Sequence, residues 1–147
     1  ACTSGAMVAH ADDKTMRHLG EFGLNLGIAF QLMDDLLDYT SSQEAFGKPV
    51  GKDLKEGKIT LPLVYFVSEL EKGEGERLAE LFKSQKAKDK DYEDLVRRVR
   101  THGAIERVRS EASEYVERAG EALGLLPDSP GRRSLMELGT YILTRRR

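Results

Sequence analysis

The sequence predicts an all-α fold, because apolar residues recur at every third or fourth position through nearly all of its 147 residues. Runs that alternate apolar and polar residues, which are typical of half-buried strands, do not occur. Only four prolines interrupt the helical pattern. Because 39% of the residues are hydrophobic, we expect one domain over residues 1–147 with a substantial buried core.

The first ten residues resemble the end of a helix, since they carry no initiator Met, no leader pattern and no helix-start signal. We therefore expect the chain to open inside a helix that continues upstream. Asp12 or Asp13 is a candidate N-cap for the next helix, which is predicted to run from about Asp13 to Tyr39. The residues that recur in it at steps of three and four are Met16, Leu19, Phe22, Gly23, Leu26, Phe30, Met33 and Leu37.

A polar, glycine-containing loop is predicted over residues 41–56. Thr60 then suits the N-cap of a further helix, and Pro62 is tolerated in its first turn. The residues predicted to form its buried side are Leu63, Val64, Phe66, Val67 and Leu70.

The second half of the chain also reads as helices separated by short connections. Gly73 and Gly75 are expected to end the preceding helix, with a short helix from about Glu76 to Lys83. A charged loop is expected over residues 83–91, and another helix from about Tyr92 to His102.

Two more helices complete the prediction. The first runs from about Ala104 to Leu123, and Gly103 before it suits the C′ position of the preceding helix. Ser129 and Pro130 form an N-cap and N1 pair for the last helix. The apolar residues of that last helix are Leu135, Leu138, Tyr141 and Ile142.

Composition excludes several classes of protein. The 23 Lys and Arg residues nearly balance 25 Asp and Glu residues, so no basic excess indicates a nucleic-acid partner. The longest mainly apolar stretch, residues 24–33, is too short for a transmembrane segment. Cys2 is the single cysteine, which excludes an internal disulfide and a cysteine-built zinc site. We expect a cytoplasmic protein.

Three aspartates near the end of the long predicted helix are its main chemical feature. Asp38 follows Asp34 by four residues and Asp35 by three, so the carboxylates share one face. At about 5 Å and an effective dielectric near 20, two such charges repel by roughly 3 kcal/mol, against a few tenths of a kcal/mol for pairs on open helix surfaces. A bound cation would remove this repulsion, and carboxylate oxygens suit Mg²⁺. The alternative is a solvated acidic helix end.

The surrounding residues favour a site for a diphosphate. Gln31 lies one turn before Asp34, so its amide is aimed along the same face. Downstream, Lys48 and Lys58 stand among glycines that let backbone amides approach a phosphate group. Without the aspartates, both lysines would be interpreted as solvated surface residues.

Two stretches resemble the trans-type polyprenyl diphosphate synthases, and within that family the octaprenyl-like, long-chain branch. Residues 23–39, GLNLGIAFQLMDDLLDY, are similar to the second aspartate-rich region of the family. Residues 47–62, GKPVGKDLKEGKITLP, are similar to the lysine-bearing loop that follows it. The resemblance covers about residues 20–62 and implies a helical bundle of the isoprenoid synthase type.

The resemblance also implies an activity and a metal. The activity is a prenyltransferase condensation of isopentenyl diphosphate with an allylic diphosphate, with Mg²⁺ as cofactor. By this likeness Asp34 and Asp35 are catalytic residues that bind Mg²⁺ bridging to the allylic diphosphate. Asp38 supports the metal site, directly or through water.

Further residues are implied to contact the substrates. Lys48 and Lys58 would neutralise the diphosphate and thereby take part in catalysis. Gln31 and Asp53 would orient groups around it. Phe30 would line the apolar side of the site, with packing in the core as the alternative reading.

The family uses two facing aspartate-rich motifs, and this sequence contains one. The resemblance therefore implies the C-terminal half of a synthase, inactive or nearly so alone, whose partner is the missing N-terminal half or a homodimer partner. The alternative is a non-catalytic binding or regulatory subunit that pairs with a complete synthase or a separate N-terminal half. A terpene cyclase and a helical interaction domain with an incidental acidic cluster are further readings. Residues 145–147, all Arg, are interpreted as a solvated tail, with an approach to the mouth of the site as the alternative.

Overall fold

The computed structural model describes residues 1–40, 51–84 and 86–145. Within these ranges all regular structure is helical, which confirms the all-α prediction. No helix there is both long enough and apolar enough to cross a membrane. The helices are α1 (Cys2–Val8), α2 (Asp13–Thr40), α3 (Lys52–Lys55), α4 (Leu61–Ser68), α5 (Lys72–Lys83), α6 (Asp89–Thr101), α7 (Ala104–Gly124) and α8 (Pro130–Thr144).

The chain packs as two compact units. The first unit comprises residues 1–33 and 109–145, and the second contains residues 34–108. Helices α2 and α7 each contribute to both units. The three aspartates and residues 51–58 belong to the second unit, which therefore holds most of the predicted site.

The first unit is built on the amino-terminal part of α2. The backbone N–H of Thr15 donates to Asp12 Oδ1 at 2.7 Å, so Asp12 is the N-cap of α2. Asp12 was one of the two predicted candidates. The bond from Thr15 lowers the pKa of the Asp12 carboxyl. The buried apolar residues of this unit are Ala6, Phe22, Leu26, Ala29, Met33, Ala112, Ala119, Ala122, Leu123 and Ile142.

Helix α8 closes the first unit and begins as predicted, because Ser129 Oγ accepts the N–H of Arg132 at 3.1 Å. Its Gly139 is buried, and a Cβ there would lie 3.0 Å from Val116 Cγ1. The backbone of α8 therefore lies close to α7 at Gly139, where a side chain would crowd Val116. Of the apolar residues of α8, Ile142 is buried, whereas Leu138 and Tyr141 are 42% and 62% exposed.

The second unit is built on the carboxyl end of α2. Tyr39 is completely buried, and its hydroxyl lies 2.8 Å from Thr60 Oγ1. Thr60 stands at the N-cap of α4 as predicted, but its hydroxyl bonds to Tyr39 and makes no cap bond. The buried residues of this unit include Leu36, Leu54, Pro62, Phe66, Leu95, Val96, Val99, Ala104, Ile105 and Val108.

Helix α4 turns a narrower face inward than its sequence predicted. Phe66 is buried between the ring of His102, at 5.2 Å between centroids, and the guanidinium of Arg98, at 5.1 Å from the Phe66 centroid. Val64 and Val67, which were predicted to be buried, are 44% and 37% exposed. The short helix contacts α6 along one edge, so neighbouring apolar positions remain accessible.

Three helix boundaries differ from the prediction. Helix α4 ends at Ser68, and α5 starts at Lys72 and runs through Gly73 and Gly75. These glycines fall in the first turns of α5, where several backbone N–H groups lack an intrahelical partner in any case. Helix α6 starts one turn earlier than predicted, because Asp91 Oδ2 accepts the N–H of Lys88 at 2.7 Å.

We predict that the substitution Tyr39→Phe lowers the free energy of unfolding by about 1–3 kcal/mol, because it strands the buried hydroxyl of Thr60. The double variant Tyr39→Phe with Thr60→Val should be no less stable than Tyr39→Phe, since both polar groups are then absent. Urea unfolding followed by circular dichroism measures both. If the double variant loses as much stability as Tyr39→Phe and Thr60→Val lose together, the two residues are not coupled through this hydrogen bond.

Candidate functional site

The predicted aspartates occupy the last turns of α2. Asp34 is exposed, and Asp35 and Asp38 are partly buried. Asp38 follows Asp35 by three residues and Asp34 by four, so its side chain is a neighbour of both on the surface of α2. Within residues 1–40, 51–84 and 86–145, no group of three or more His, Cys, Asp or Glu side chains is gathered closely enough to hold a metal ion.

Asp38 accepts hydrogen bonds from the backbone of residues 51–53. Its Oδ1 accepts the N–H of Lys52 at 3.1 Å, and its Oδ2 accepts the N–H of Asp53 at 3.2 Å. The carbonyl oxygen of Asp38 accepts the N–H of Gly51 at 3.0 Å. Burial raises the pKa of the Asp38 carboxyl, and the hydrogen bonds from the backbone N–H groups of Lys52 and Asp53 partly oppose that rise.

Residues 51–58 form a compact segment, here called the anchored turn. Gly51 and Gly57 both have positive φ, +79° and +77°, and α3 lies between them. Leu54 is buried, and the N–H of Lys58 donates to the carbonyl of Asp53 at 2.9 Å. Residues 51–56 were predicted as loop, and the one-turn helix α3 corrects that part of the prediction.

Four charged side chains of the anchored turn are paired with one another, while Lys55 Nζ pairs with Asp89 of α6 at 2.6 Å. Lys58 Nζ lies 2.7 Å from Asp53 Oδ1 and 3.0 Å from Glu56 Oε2, while Lys52 Nζ lies 3.2 Å from Glu56 Oε1. Hydrogen bonds to Asp53 and Glu56 raise the pKa of Lys58, and bonds from both lysines lower the pKa of Glu56. Lys58 nevertheless remains more than half exposed, so its ammonium group is accessible to a ligand.

The structure brings together some of the predicted residues and adds others. Asp38, Asp53 and Lys58 are linked by direct hydrogen bonds, whereas Lys48 lies outside the described residues. Glu56 was not among the predicted site residues. Its spacing of four from Lys52 was the available signal, because such pairs meet on a helix.

Phe30 and Gln31 belong to the first unit, on the part of α2 that precedes the aspartates. Gln31 is exposed. Phe30 is 45% exposed, which is inconsistent with the alternative that it packs in the core. The guanidinium of Arg145 lies 3.9 Å from the Phe30 ring centroid, and its Nη2 donates to the Phe30 carbonyl at 2.9 Å. This contact identifies Arg145 as part of the packed structure, which the prediction of a solvated tail missed.

The donor chemistry of this region fits Mg²⁺. Mg²⁺ is held by hard oxygens, often one or two carboxylates, with water and substrate phosphate filling the other positions. Asp34 and Asp35 supply two carboxylates at the end of α2, which matches that mode. Both oxygens of Asp38 already accept backbone N–H groups, so its donor capacity is partly committed.

Comparisons with known proteins place the chain in a family. The profile of a family described as Polyprenyl synthetase matches residues 1–99. A protein named decaprenyl-diphosphate synthase from Dictyostelium discoideum is 39% identical over 145 residues, covering 99% of this chain and 31% of the relative. A protein named heptaprenyl diphosphate synthase component 2 from Bacillus subtilis is 33% identical over 142 residues, covering 97% of this chain and 40% of the relative.

Solved structures give the same result for the fold. A polyprenyl synthase from Caulobacter crescentus, complexed with calcium and isoprenyl diphosphate, superposes with a TM-score of 0.89 at 33% identity. The match covers 99% of this chain and 44% of that chain. A heptaprenyl diphosphate synthase from Staphylococcus aureus superposes with a TM-score of 0.90 at 29% identity, covering 99% and 45%. The chain thus spans less than half the length of these relatives.

We predict that Gly51→Ala destabilises the protein by about 2–4 kcal/mol. An alanine there has an unfavourable positive φ, and its Cβ would lie 2.4 Å from Val96 Cγ2. Gly57→Ala is a matched control, because Gly57 has a similar φ but no atom within 4 Å of the added Cβ. It should cost only about 1 kcal/mol. Equal losses in urea unfolding would mean that packing against Val96 contributes nothing.

We predict that stability falls as the pH rises from 10 to 12. Burial, chiefly, raises the pKa of Tyr39 from 10.0 to about 12. Between these two values the Tyr39 hydroxyl is deprotonated in the unfolded chain but still protonated in the folded protein, which favours unfolding. The stabilisation that protonated Tyr39 gives below pH 10, at most about 3 kcal/mol, is therefore lost by pH 12. Urea unfolding at pH 9, 10, 11 and 12 measures it. The Tyr39→Phe variant should show a smaller decline, and identical slopes would contradict the assignment to Tyr39.

Proposed function

Because this chain belongs to the polyprenyl synthetase family, we propose that it carries one metal- and diphosphate-binding face of a prenyltransferase. The reaction is the Mg²⁺-dependent condensation of isopentenyl diphosphate with an allylic diphosphate. The observation that carries the proposal is that the anchored turn is held at the end of α2. There Asp34 and Asp35 occupy the helix from which Asp38 holds the lysine-bearing anchored turn.

Asp34 and Asp35 would hold Mg²⁺, which when bound supplies positive charge to a diphosphate. Lys58 contributes a cation of its own for the same group. Asp53 and Glu56 keep the Lys58 ammonium in place through direct contacts of 2.7 and 3.0 Å. A phosphate oxygen can bind the exposed side of that ammonium group. The Lys58 side chain is already held in place before the phosphate binds, so little further ordering is needed.

The chemistry proposed for this face is stabilisation of a leaving group. The allylic C–O bond breaks with its electron pair on the diphosphate, where positive charge is most useful. The isopentenyl double bond then attacks the allylic carbon, and loss of a proton forms a new alkene. Gln31 and Lys48 are proposed to contact the diphosphate because of the sequence resemblance, and Phe30 is proposed to border the prenyl chain.

We propose that the reaction requires a second face that this chain does not supply by itself. The first relatives are more than twice as long as this chain, which supports a partner that contributes another aspartate-rich motif. That partner would be an N-terminal half or a second copy. The Bacillus subtilis relative is named as a component 2, which supports the existence of paired subunits among relatives. A cytoplasmic location is proposed as well.

A non-catalytic binding or regulatory subunit is the second candidate function. It is favoured by one observation, namely that the chain covers only 31% of the Dictyostelium discoideum relative and 40% of the Bacillus subtilis relative, which supports pairing with a separate polypeptide. Such a subunit would bind diphosphate through the anchored turn while a complete synthase performs the reaction. Turnover measured with and without a complete synthase separates the two functions.

We predict that the chain binds inorganic diphosphate in the presence of Mg²⁺, and that Asp34→Asn or Asp35→Asn weakens this binding about tenfold or more. Isothermal titration calorimetry measures the affinity. Asp94→Asn is the matched control, because Asp94 is an exposed helical aspartate that pairs with Arg97 in α6. Affinity that is unchanged in both site variants would contradict the proposed function.

The proposed need for a second face has its own test. The chain alone should incorporate little or no labelled isopentenyl diphosphate into an allylic primer. Robust turnover by the isolated chain would contradict this part of the proposal. Turnover that appears only when an N-terminal half of a relative is added would support it.

A further inference from the structure

We propose that Asp38 is a positioning residue, and that its carboxylate holds the anchored turn to the end of α2 and thereby sets the location of Lys58. The inference assigns Asp38 a role different from that of Asp34 and Asp35, although all three belong to one sequence motif. It rests on the proposed function only where diphosphate binding is concerned. The structural part stands on the hydrogen bonds of the chain itself.

Three successive backbone N–H groups bind one residue, Asp38. Those of Gly51, Lys52 and Asp53 donate to the carbonyl oxygen, Oδ1 and Oδ2 of Asp38, at 3.0, 3.1 and 3.2 Å. Each carboxylate oxygen therefore has its own donor. An uncharged side chain could not satisfy both amides in the same way, because a carboxamide has only one oxygen.

The anchored turn has no side-chain cap of its own. Gly51 stands at the N-cap of α3 and offers no side chain to accept the first N–H groups of the helix. Asp38, fourteen residues before Lys52, performs that role from another helix. A short helix of four residues gains little from its own hydrogen bonds, so it depends on contacts from outside, and the Asp38 carboxylate supplies those at its N-terminus.

Asp38 is also connected to the ammonium group of Lys58 through Asp53. The backbone of Asp53 donates to Asp38, and the Asp53 side chain accepts from Lys58 Nζ at 2.7 Å. The backbone of Lys58 also donates to the Asp53 carbonyl at 2.9 Å. Two hydrogen-bonded steps thus lead from Asp38 to the ammonium group. Loss of Asp38 frees the turn and allows that group to move.

Hydrogen exchange distinguishes a positioning role from a metal-ligand role. We expect the amides of Lys52 and Asp53 to exchange about tenfold faster in Asp38→Ala than in the wild-type chain, measured by NMR in metal-free buffer containing EDTA. Asp38→Asn, which keeps one acceptor oxygen, should lie between the two. Amides of α6 should be unaffected, which controls for loss of the fold.

Two results of this experiment would overturn the proposal. One is unchanged exchange at Lys52 and Asp53 in Asp38→Ala. The other is faster exchange at these amides when Mg²⁺ is added to the wild-type chain, which would mean that the metal competes for the carboxylate. If Asp38→Ala does not fold, the partial effect in Asp38→Asn decides the question by the same criteria.

A second measurement links the anchor to ligand binding, using Mg²⁺ with inorganic diphosphate as the probe. We expect Asp38→Ala to bind it about tenfold more weakly and Asp38→Asn about threefold more weakly than wild type. Losses that are equal in the two variants, and as large as that of Asp34→Asn, would identify Asp38 as a metal ligand and overturn the proposal. A wild-type chain that binds no magnesium diphosphate contradicts the proposed function, while the exchange result still decides the role of Asp38.

Discussion

The last turn of α2 fixes residues 51–60 through two adjacent residues that use opposite kinds of contact. Asp38 binds three backbone N–H groups at the partly exposed side of the helix. Tyr39 places its hydroxyl against Thr60 in the core. Successive residues of a helix point in directions about 100° apart, so one turn of α2 can bind both a polar surface segment and a buried helix start.

The arrangement separates stability from electrostatics. Ion pairs of the anchored turn are exposed, and exposed pairs contribute little to stability. The Tyr39–Thr60 bond and the buried Leu54 and Val96 side chains carry the packing instead. Lysine and glutamate residues of the turn are therefore available to respond to a charged ligand without loosening the core beneath them.

The sequence predicted what depends on local physics. Helical periodicity and the Asp12 and Ser129 caps gave the bounds of α2 and the start of α8 to within one residue. Helix α3 could not be predicted in the same way, because its cap comes from Asp38 and not from a neighbour. The site divides similarly. Spacing alone placed the aspartates on one helix, but the contact between Arg145 and Phe30 joins residues 115 positions apart and has no local signal.

The burial of Tyr39 gives the protein an intrinsic optical reporter. The chain contains five tyrosines and no tryptophan, so no indole group dominates its near-ultraviolet spectrum. The other four tyrosines, all within the described ranges, are partly or largely exposed. Tyr39 is completely buried next to Asp38 in the sequence, and asymmetric packing of an aromatic ring is what produces near-ultraviolet circular dichroism. Changes at the end of α2 can therefore be followed by spectroscopy without attaching a label.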